Sequence, residues 1–156
     1  MFAIERAIVS DLPAVTRLFR DYAASLSVDL AYQDFESEVA SLPGKYAPPR
    51  GALLLARDAG GKPSGCVALQ PIEPETCCEM KRLYVSPSAR GSGLGARLVD
   101  AILREAGRIG YREMRLDTLP DMHAALSLYR RSGFEEMPPY YESPVAGTVF
   151  MRRRIG

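Results

Sequence analysis

The sequence predicts a single α/β domain in which helices pack on a mixed sheet. Three observations carry this reading. The 156 residues suit one domain and are long enough to bury a sizeable core. Short apolar runs of strand character alternate with segments whose apolar residues recur at helical spacing, and strands slightly outnumber helices. No repeat, low-complexity tract or linker divides the chain, so residues 1–156 are read as one unit.

Ala3 to Ile8 reads as a first strand, after which Ser10 or Asp11 can cap a helix with Pro13 in its first turn. Leu12, Val15, Leu18, Phe19 and Tyr22 fall on one face of that helix. A short helix around Asp34 to Ser41 stops at Leu42-Pro43-Gly44, and a loop runs to Gly51. Ala52 to Ala56 and Cys66 to Gln70 flank the glycines of Asp58 to Lys62, as two strands of a hairpin do. Thr76 to Val85 is the longest expected strand. The helix that follows, from Ala96, carries Leu98, Ile102, Leu103 and Ala106 at helical spacing and ends at Gly107 and Gly110. Met114 to Thr118 is a strand, Met122 to Arg131 a helix closed by Gly133, and Thr148 to Arg152 a last strand, whose arginine run Arg152 to Arg154 decorates a solvent-facing edge.

Composition narrows the partners. Lys and Arg number 20 against 19 Asp and Glu, which removes any bulk electrostatic case for a nucleic acid or an acidic membrane. A small molecule is the expected partner. Cys66, Cys77 and Cys78 have neither zinc-ligand nor redox-motif spacing and read as reduced thiols of the core or a sheet edge. No long apolar segment follows the start and none approaches the length of a membrane span, so the expected compartment is the cytoplasm.

The chemistry concentrates between Glu79 and Ala96. A strand, Glu79 to Val85, runs into Ser86 to Gly95 and then into a helix, and the first amides of a helix lack partners within it. The ligand expected there is a phosphate. A nucleoside triphosphatase needs Gly-Lys-Ser/Thr at the helix start, whereas Gly95 is followed by Ala96 and Arg97. A dinucleotide fold competes on pattern, because Gly91, Gly93 and Ala96 satisfy a loose Gly-x-Gly-x-x-Gly/Ala and Glu113 lies at the spacing of a ribose-binding acid. Against it, Glu79, Lys81 and Arg82 sit in a strand that such a fold buries on both faces. The third reading takes Arg90, Gly93 and Gly95 as a pyrophosphate clamp of backbone amides with an added positive charge.

With these residues the chain resembles the GNAT N-acetyltransferase superfamily. Its signature Gln/Arg-x-x-Gly-x-Gly/Ala is met by Arg90, Gly93 and Gly95, and a second, Leu-Tyr-x-x-x-Gly-Phe, by Leu128, Tyr129, Gly133 and Phe134. The resemblance implies a twisted, mostly antiparallel mixed sheet of six to seven strands flanked by about four helices. It also implies acetyl-coenzyme A as acetyl donor, with its pantetheine arm paired to the backbone of Leu83, Tyr84 and Val85. The pyrophosphate would lie on amides of Arg90, Gly91, Ser92, Gly93, Leu94, Gly95 and Ala96. Tyr129 then lies near the thioester sulfur as general acid, against the plainer role of a core aromatic. No metal is required, since a thioester is already activated.

The acceptor amine must lose a proton before it can attack. Glu79 is the candidate base, directly or through water, the competing role being an exposed carboxylate paired with Lys81 or Arg82. His123 begins the helix that carries Tyr129 and is expected to cap or to meet solvent. Asp117 and Thr118 end a strand beside the cleft, where they line the channel or cap the next turn. Two loops stand to choose the acceptor: Lys45 to Arg50, with Tyr46 and Arg50, and Pro138 to Pro144, with Tyr140, Tyr141 and Glu142. An arginine and tyrosines would suit an amine that also carries a carboxylate, such as an amino acid. The function expected is direct acetyl transfer to a primary amine of a small molecule or peptide in a ternary complex, on a chain that pairs as a homodimer in some relatives. The alternatives are a coenzyme A-binding or sensing domain without turnover and a dinucleotide-binding protein.

Overall fold

The structure is a computed structural model that describes residues 1–156. Its elements in chain order are β1 (Ala3–Arg6), α1 (Leu12–Ser25), α2 (Phe35–Ala40), β2 (Ala52–Arg57), β3 (Pro63–Pro71), β4 (Cys77–Val85), α3 (Leu94–Ile109), β5 (Glu113–Thr118), α4 (His123–Arg131), β6 (Glu135–Met137) and β7 (Val149–Arg154). The seven strands form one sheet in the order β1-β2-β3-β4-β5-β7-β6. Every neighbouring pair is antiparallel except β4 and β5. That single parallel pair exists because α3 carries the chain back across the sheet between them, the connection parallel strands require.

Both faces of the sheet are covered. Alternation along β2 and β3 sends Leu54, Ala56, Val67 and Leu69 to a core shared with α3 and α4, and Leu53, Leu55, Cys66 and Ala68 to a second core under α1 and α2. The apolar stripe of α3, Leu98, Val99, Ile102 and Ala106, is wholly buried in the first. Val15, Leu18 and Phe19 of α1 fill the second, where Phe19 meets Tyr46 edge-on with ring centroids 6.1 Å apart. No helix is long and apolar enough to cross a membrane.

In β4 the alternation breaks. Cys78 and Met80 join the α3/α4 core, but Cys66 of β3 pairs with Tyr84 and Ala68 with Lys81, so two β4 residues, Arg82 and Leu83, stand opposite Val67 alone. This is a bulge with Arg82 in the left-handed region at φ 59°. For a side chain with a Cβ that conformation costs roughly 1 kcal/mol or more. Its compensation is visible: the Arg82 guanidinium, 2% exposed, donates two hydrogen bonds to Glu38 of α2 at 2.9 and 2.7 Å and one to Gln33 at 2.8 Å. It also lies over the Phe35 ring, 5.4 Å from its centroid. Burial works against the charged form, but the hydrogen bonds and charge of Glu38 outweigh it and hold this guanidinium above the usual arginine range.

The elements agree with the sequence reading to within a few residues, with three corrections. The expected helix end at Gly107 is wrong: α3 continues to Ile109 and Gly110 alone follows it. A strand not expected, β6, pairs with Phe150 to Arg152 of β7, so Arg152 to Arg154 belong to a strand between β5 and β6 and not to the sheet's edge. Arg152 lies 3.4 Å from Glu135 of that added strand. Finally, α3 begins at Leu94, two residues before Ala96, because Gly93 already supplies the turn into it.

The ion pair under the bulge is the contact most open to test. Glu38→Ala leaves a buried guanidinium without its carboxylate, and a loss of about 3 kcal/mol or more in denaturant-measured stability is expected. A loss below about 1 kcal/mol would mean that Gln33 and Phe35 suffice to hold the bulge.

Candidate active site

Parallel pairing of β4 with β5 covers only Cys77 to Glu79 against Glu113 to Arg115. Beyond it the two strands part, and Met80, Lys81 and Leu83 face Leu116 and Asp117 across a narrow cavity that Tyr22 of α1 and Tyr129 of α4 also line. The β4 backbone from Lys81 to Val85 therefore pairs with β3 on one side and presents a free ladder edge on the other. Leu83, Tyr84 and Val85, expected to pair with an extended ligand, stand on this edge.

The same strand leads to the glycine turn. A short turn at Pro87–Ala89 is followed by Gly91 at φ 79° and Gly93 at φ 83°, and a Cβ at either would meet nothing within 4 Å. Positive φ, not crowding, is what demands glycine here. The consequence is a run of amides, from Gly91 to Ala96, that donate to no backbone carbonyl. They end at the N-terminus of a helix 16 residues long, whose dipole adds positive potential. Arg90 adds its charge while donating to the Val85 carbonyl at 3.1 Å. These residues fit a pyrophosphate: the donors are unengaged, converge on one turn and carry no competing carboxylate.

Tyr129, 7% exposed, comes from α4 with its ring edge-on to Phe134 at 6.0 Å. Its hydroxyl makes no hydrogen bond within the protein, and it faces the gap rather than sealed core. Burial first, then the neighbouring Tyr22 and Asp117, raises its titration well above the ordinary phenol range, so the proton is held throughout the physiological range. Leu128, one residue earlier, packs where a Cβ on Gly95 would come within 3.3 Å, which seats α4 against the start of α3.

On the α1/α2 face lies a row of charges. Glu79 is 5% exposed, so the expectation of an exposed carboxylate fails. It accepts from Gln70 at 2.9 Å and from the Tyr140 hydroxyl at 2.5 Å. Its contact with Lys81 is longer, 3.9 Å, and Arg82 goes to Glu38 instead, because the bulge turns that side chain toward α2. Asp117 of β5 accepts from the Tyr141 hydroxyl. Both tyrosine rings sit edge-on to Phe150, at 5.2 and 5.1 Å, so the loop before β7 straps the two carboxylates together. Burial raises the Asp117 carboxyl above its ordinary value; Lys81 opposes this and Glu79 reinforces it. A cleft of about 400 Å³ opens beside the row, lined among others by Ser37, Glu38, Lys45, Gln70 and Lys81.

The structure brings together most, not all, of the residues singled out in the sequence. Asp117 lines the gap, while Thr118 turns its hydroxyl to the Met122 sulfur at 3.7 Å. His123 is an exposed first residue of α4, away from the gap lining. The loop Lys45 to Arg50 is split: Lys45 reaches the cleft and Tyr46 is core, but Arg50 stacks on Tyr111 at 4.4 Å and donates to the Glu75 carbonyl, at the far end of β4. Arg50 is thus no acceptor ligand, since the loop folds back under the start of the strand. Glu113 also lies at that end, paired with Arg115 at 2.6 Å, and β4 runs antiparallel to β3; both remove the dinucleotide reading. Sequence reasoning missed Gln33, whose side-chain oxygen accepts from Lys81 at 3.1 Å and from Arg82. A lone glutamine in a short turn gives no signal of that kind.

Comparison with known proteins gives a consistent set of likenesses. The profile of the acetyltransferase (GNAT) family matches residues 12–134. An uncharacterized N-acetyltransferase of Schizosaccharomyces pombe is 42% identical over 142 residues, covering 91% of this chain and 87% of the relative. An uncharacterized N-acetyltransferase of Dictyostelium discoideum is 27% identical over 88% of this chain and 92% of its own. Among solved structures, an acetyltransferase of the GNAT family from Staphylococcus aureus superposes with a TM-score of 0.82 at 16% identity, over 100% of both chains. A phosphinothricin acetyltransferase from Sinorhizobium meliloti, in complex with acetyl-CoA, does so at 0.74 and 20% identity, over 99% of this chain and 89% of its own. At such identities the two structures share the fold.

The raised Asp117 carboxyl has a sign that stability can read. The folded state holds that proton more tightly than the unfolded chain, so its contribution is present below the ordinary value of 3.8 and is lost as pH rises through the folded value. Asp117→Asn, which keeps an oxygen for Tyr141, should therefore raise the melting temperature near pH 7, with the gain shrinking toward pH 4. A constant gain across that range would assign the effect to packing.

Proposed function

The chain belongs to the acetyltransferase (GNAT) family, and from that premise we propose that it transfers an acetyl group from acetyl-CoA directly to a primary amine of a small molecule or peptide. The observation that carries this reading is a protonated phenol, Tyr129, lining the gap between β4 and β5, with a buried carboxylate, Glu79, 3.9 Å from the Lys81 ammonium of the same gap and unengaged amides beyond the free β4 edge. Acetyl-CoA, when bound, supplies an acetyl thioester already activated toward nucleophiles. The amides from Gly91 to Ala96, with Arg90, hold its pyrophosphate, and the free edge Leu83 to Val85 pairs with its extended arm. Tyr129 holds a proton for the departing sulfur. Glu79 accepts the proton of the attacking amine, directly or through water, its orientation fixed by Gln70 and Tyr140.

Direct transfer is favoured over an acyl-enzyme on cysteine. Cys66, Cys77 and Cys78 are all buried; Cys66 is bonded to the Arg82 carbonyl at 3.4 Å and Cys78 lies in the α3/α4 core. Burial pushes the Cys78 thiol up to about 12 and moves the other two in the same direction. Thiolate is the nucleophilic form, so none is poised for acylation.

The test begins with thermal stabilisation by acetyl-CoA beside nicotinamide and adenine nucleotides, followed by thiol release across a panel of amines. Stabilisation by acetyl-CoA and thiol release with an amine are expected; stabilisation by a dinucleotide alone would overturn the reading. Tyr129→Phe should leave acetyl-CoA affinity within a few fold and lower turnover by roughly ten to a thousand fold. Unchanged turnover would remove the acid. Gly93→Arg, which strains a φ of 83° and places a bulky chain at the amide run, should abolish measurable acetyl-CoA binding; normal binding would contradict the clamp.

A further inference from the structure

Only three lysines occur in the chain, Lys45, Lys62 and Lys81, and the first two are exposed. Lys81 differs. Its side chain is 11% exposed, it lines both the gap that holds Tyr129 and the cleft beside it, and its ammonium lies 3.9 Å from the Glu79 carboxylate. A hydrogen bond to Gln33 at 3.1 Å holds the chain in that direction. The bulge explains the position, because Lys81 is the last β4 residue before the alternation breaks and so stands where β4 has already left β5. A primary amine, Lys81, and a proton donor, Tyr129, thus line one gap, with a proton acceptor, Glu79, 3.9 Å from the amine; these are the three groups that acetyl transfer to an amine needs.

We propose that Lys81 is itself an acetyl acceptor, modified by its own active site when acetyl-CoA is bound and no other amine fills the cleft. The proposal rests on the acetyltransferase reading above. In the step, one ammonium proton passes to Glu79 and on to solvent, and the freed Nζ lone pair forms a bond to the acetyl carbonyl carbon. The carbon–sulfur bond breaks with its electron pair going to sulfur. Sulfur is protonated from Tyr129, and the second proton lost by nitrogen restores the phenol. The products are Nε-acetyl-Lys81 and coenzyme A thiol, with one net proton released. Acetylation removes the lysine's charge and the ammonium donor to Gln33, so the modified chain loses the cation between Glu79 and Asp117.

The experiment incubates the full chain with acetyl-CoA and no amine, follows intact mass, and locates the acetyl group by peptide mapping. Thermal stabilisation by acetyl-CoA is recorded on the same sample. One acetyl group at Lys81, absent in Lys81→Arg and formed at least tenfold more slowly in Tyr129→Phe, is expected. Acetylation spread over Lys45 and Lys62 at a rate unchanged in Tyr129→Phe would be uncatalysed chemistry and would overturn the proposal. A chain stabilised by acetyl-CoA yet unmodified at Lys81 would overturn the proposal while leaving the acetyltransferase reading intact. A chain neither stabilised nor modified would overturn both.

Discussion

The site depends on a charged side chain folded into the left-handed region of a central strand. Arg82 makes β4 one residue longer than the stretch of β3 it opposes, and its buried pair with Glu38 keeps that surplus in place. The immediate effect is on direction. Before the bulge, odd-numbered residues such as Glu79 and Lys81 face α1 and α2; after it, Leu83 and Val85 pack on the α3/α4 core while Tyr84 turns to the other. Parity has changed within one strand. The larger effect is on spacing, since β4 stops pairing with β5 just before the bulge and the central parallel pair opens like a fork. A straight β4 would continue the ladder and leave no free backbone edge.

That fork divides the chemistry between the two faces of the sheet. The α3/α4 side contributes the unengaged amides of α3 and the phenol of Tyr129, both suited to developing negative charge. The α1/α2 side contributes Glu79 and Asp117, suited to taking protons or holding cations. The sheet separates donor from acceptor, and at the opening Tyr129 from one face and Asp117 from the other line one cavity, with Lys81 reaching from it toward Glu79. Tyr140 and Tyr141 serve this division by satisfying each carboxylate with a neutral hydroxyl, which costs less desolvation in a half-buried site than a second row of cations.

Much of this was legible in the sequence where function is carried by backbone. Glycines at 91 and 93 mark positive φ, and the helix after them marks the free amides, so the turn and its unengaged donors could be read residue by residue. Tyr129 was legible through its fixed spacing from Gly133 and Phe134. What escaped was carried by side chains that meet from distant parts of the chain. Nothing local to Glu38 or Gln33 says that Arg82 lies between them, and a left-handed arginine leaves no mark of the kind a glycine leaves. The three-residue β6 is too short for periodicity to register. Arg50 misled because its residue type fits an anionic ligand, while its stacking on Tyr111 is decided by where the loop lands.

The consecutive pair Lys81-Arg82 does carry information once the bulge is known. In a regular strand with both faces covered, one of two adjacent charged residues must enter an apolar core, at a cost of several kcal/mol for an unpaired ion. A bulge removes that conflict by sending both to one side. There they separate in role: the arginine, with a planar fork that matches a carboxylate, is consumed in structure by Glu38, and the lysine, a compact charge on a flexible stem, keeps a longer contact to Glu79 and an opening to the cleft. Exchanging the two would place the fork where the cavity is narrow and a single-point donor where a bidentate contact holds the bulge. The order of these two residues thus couples the integrity of the fork to the chemistry inside it.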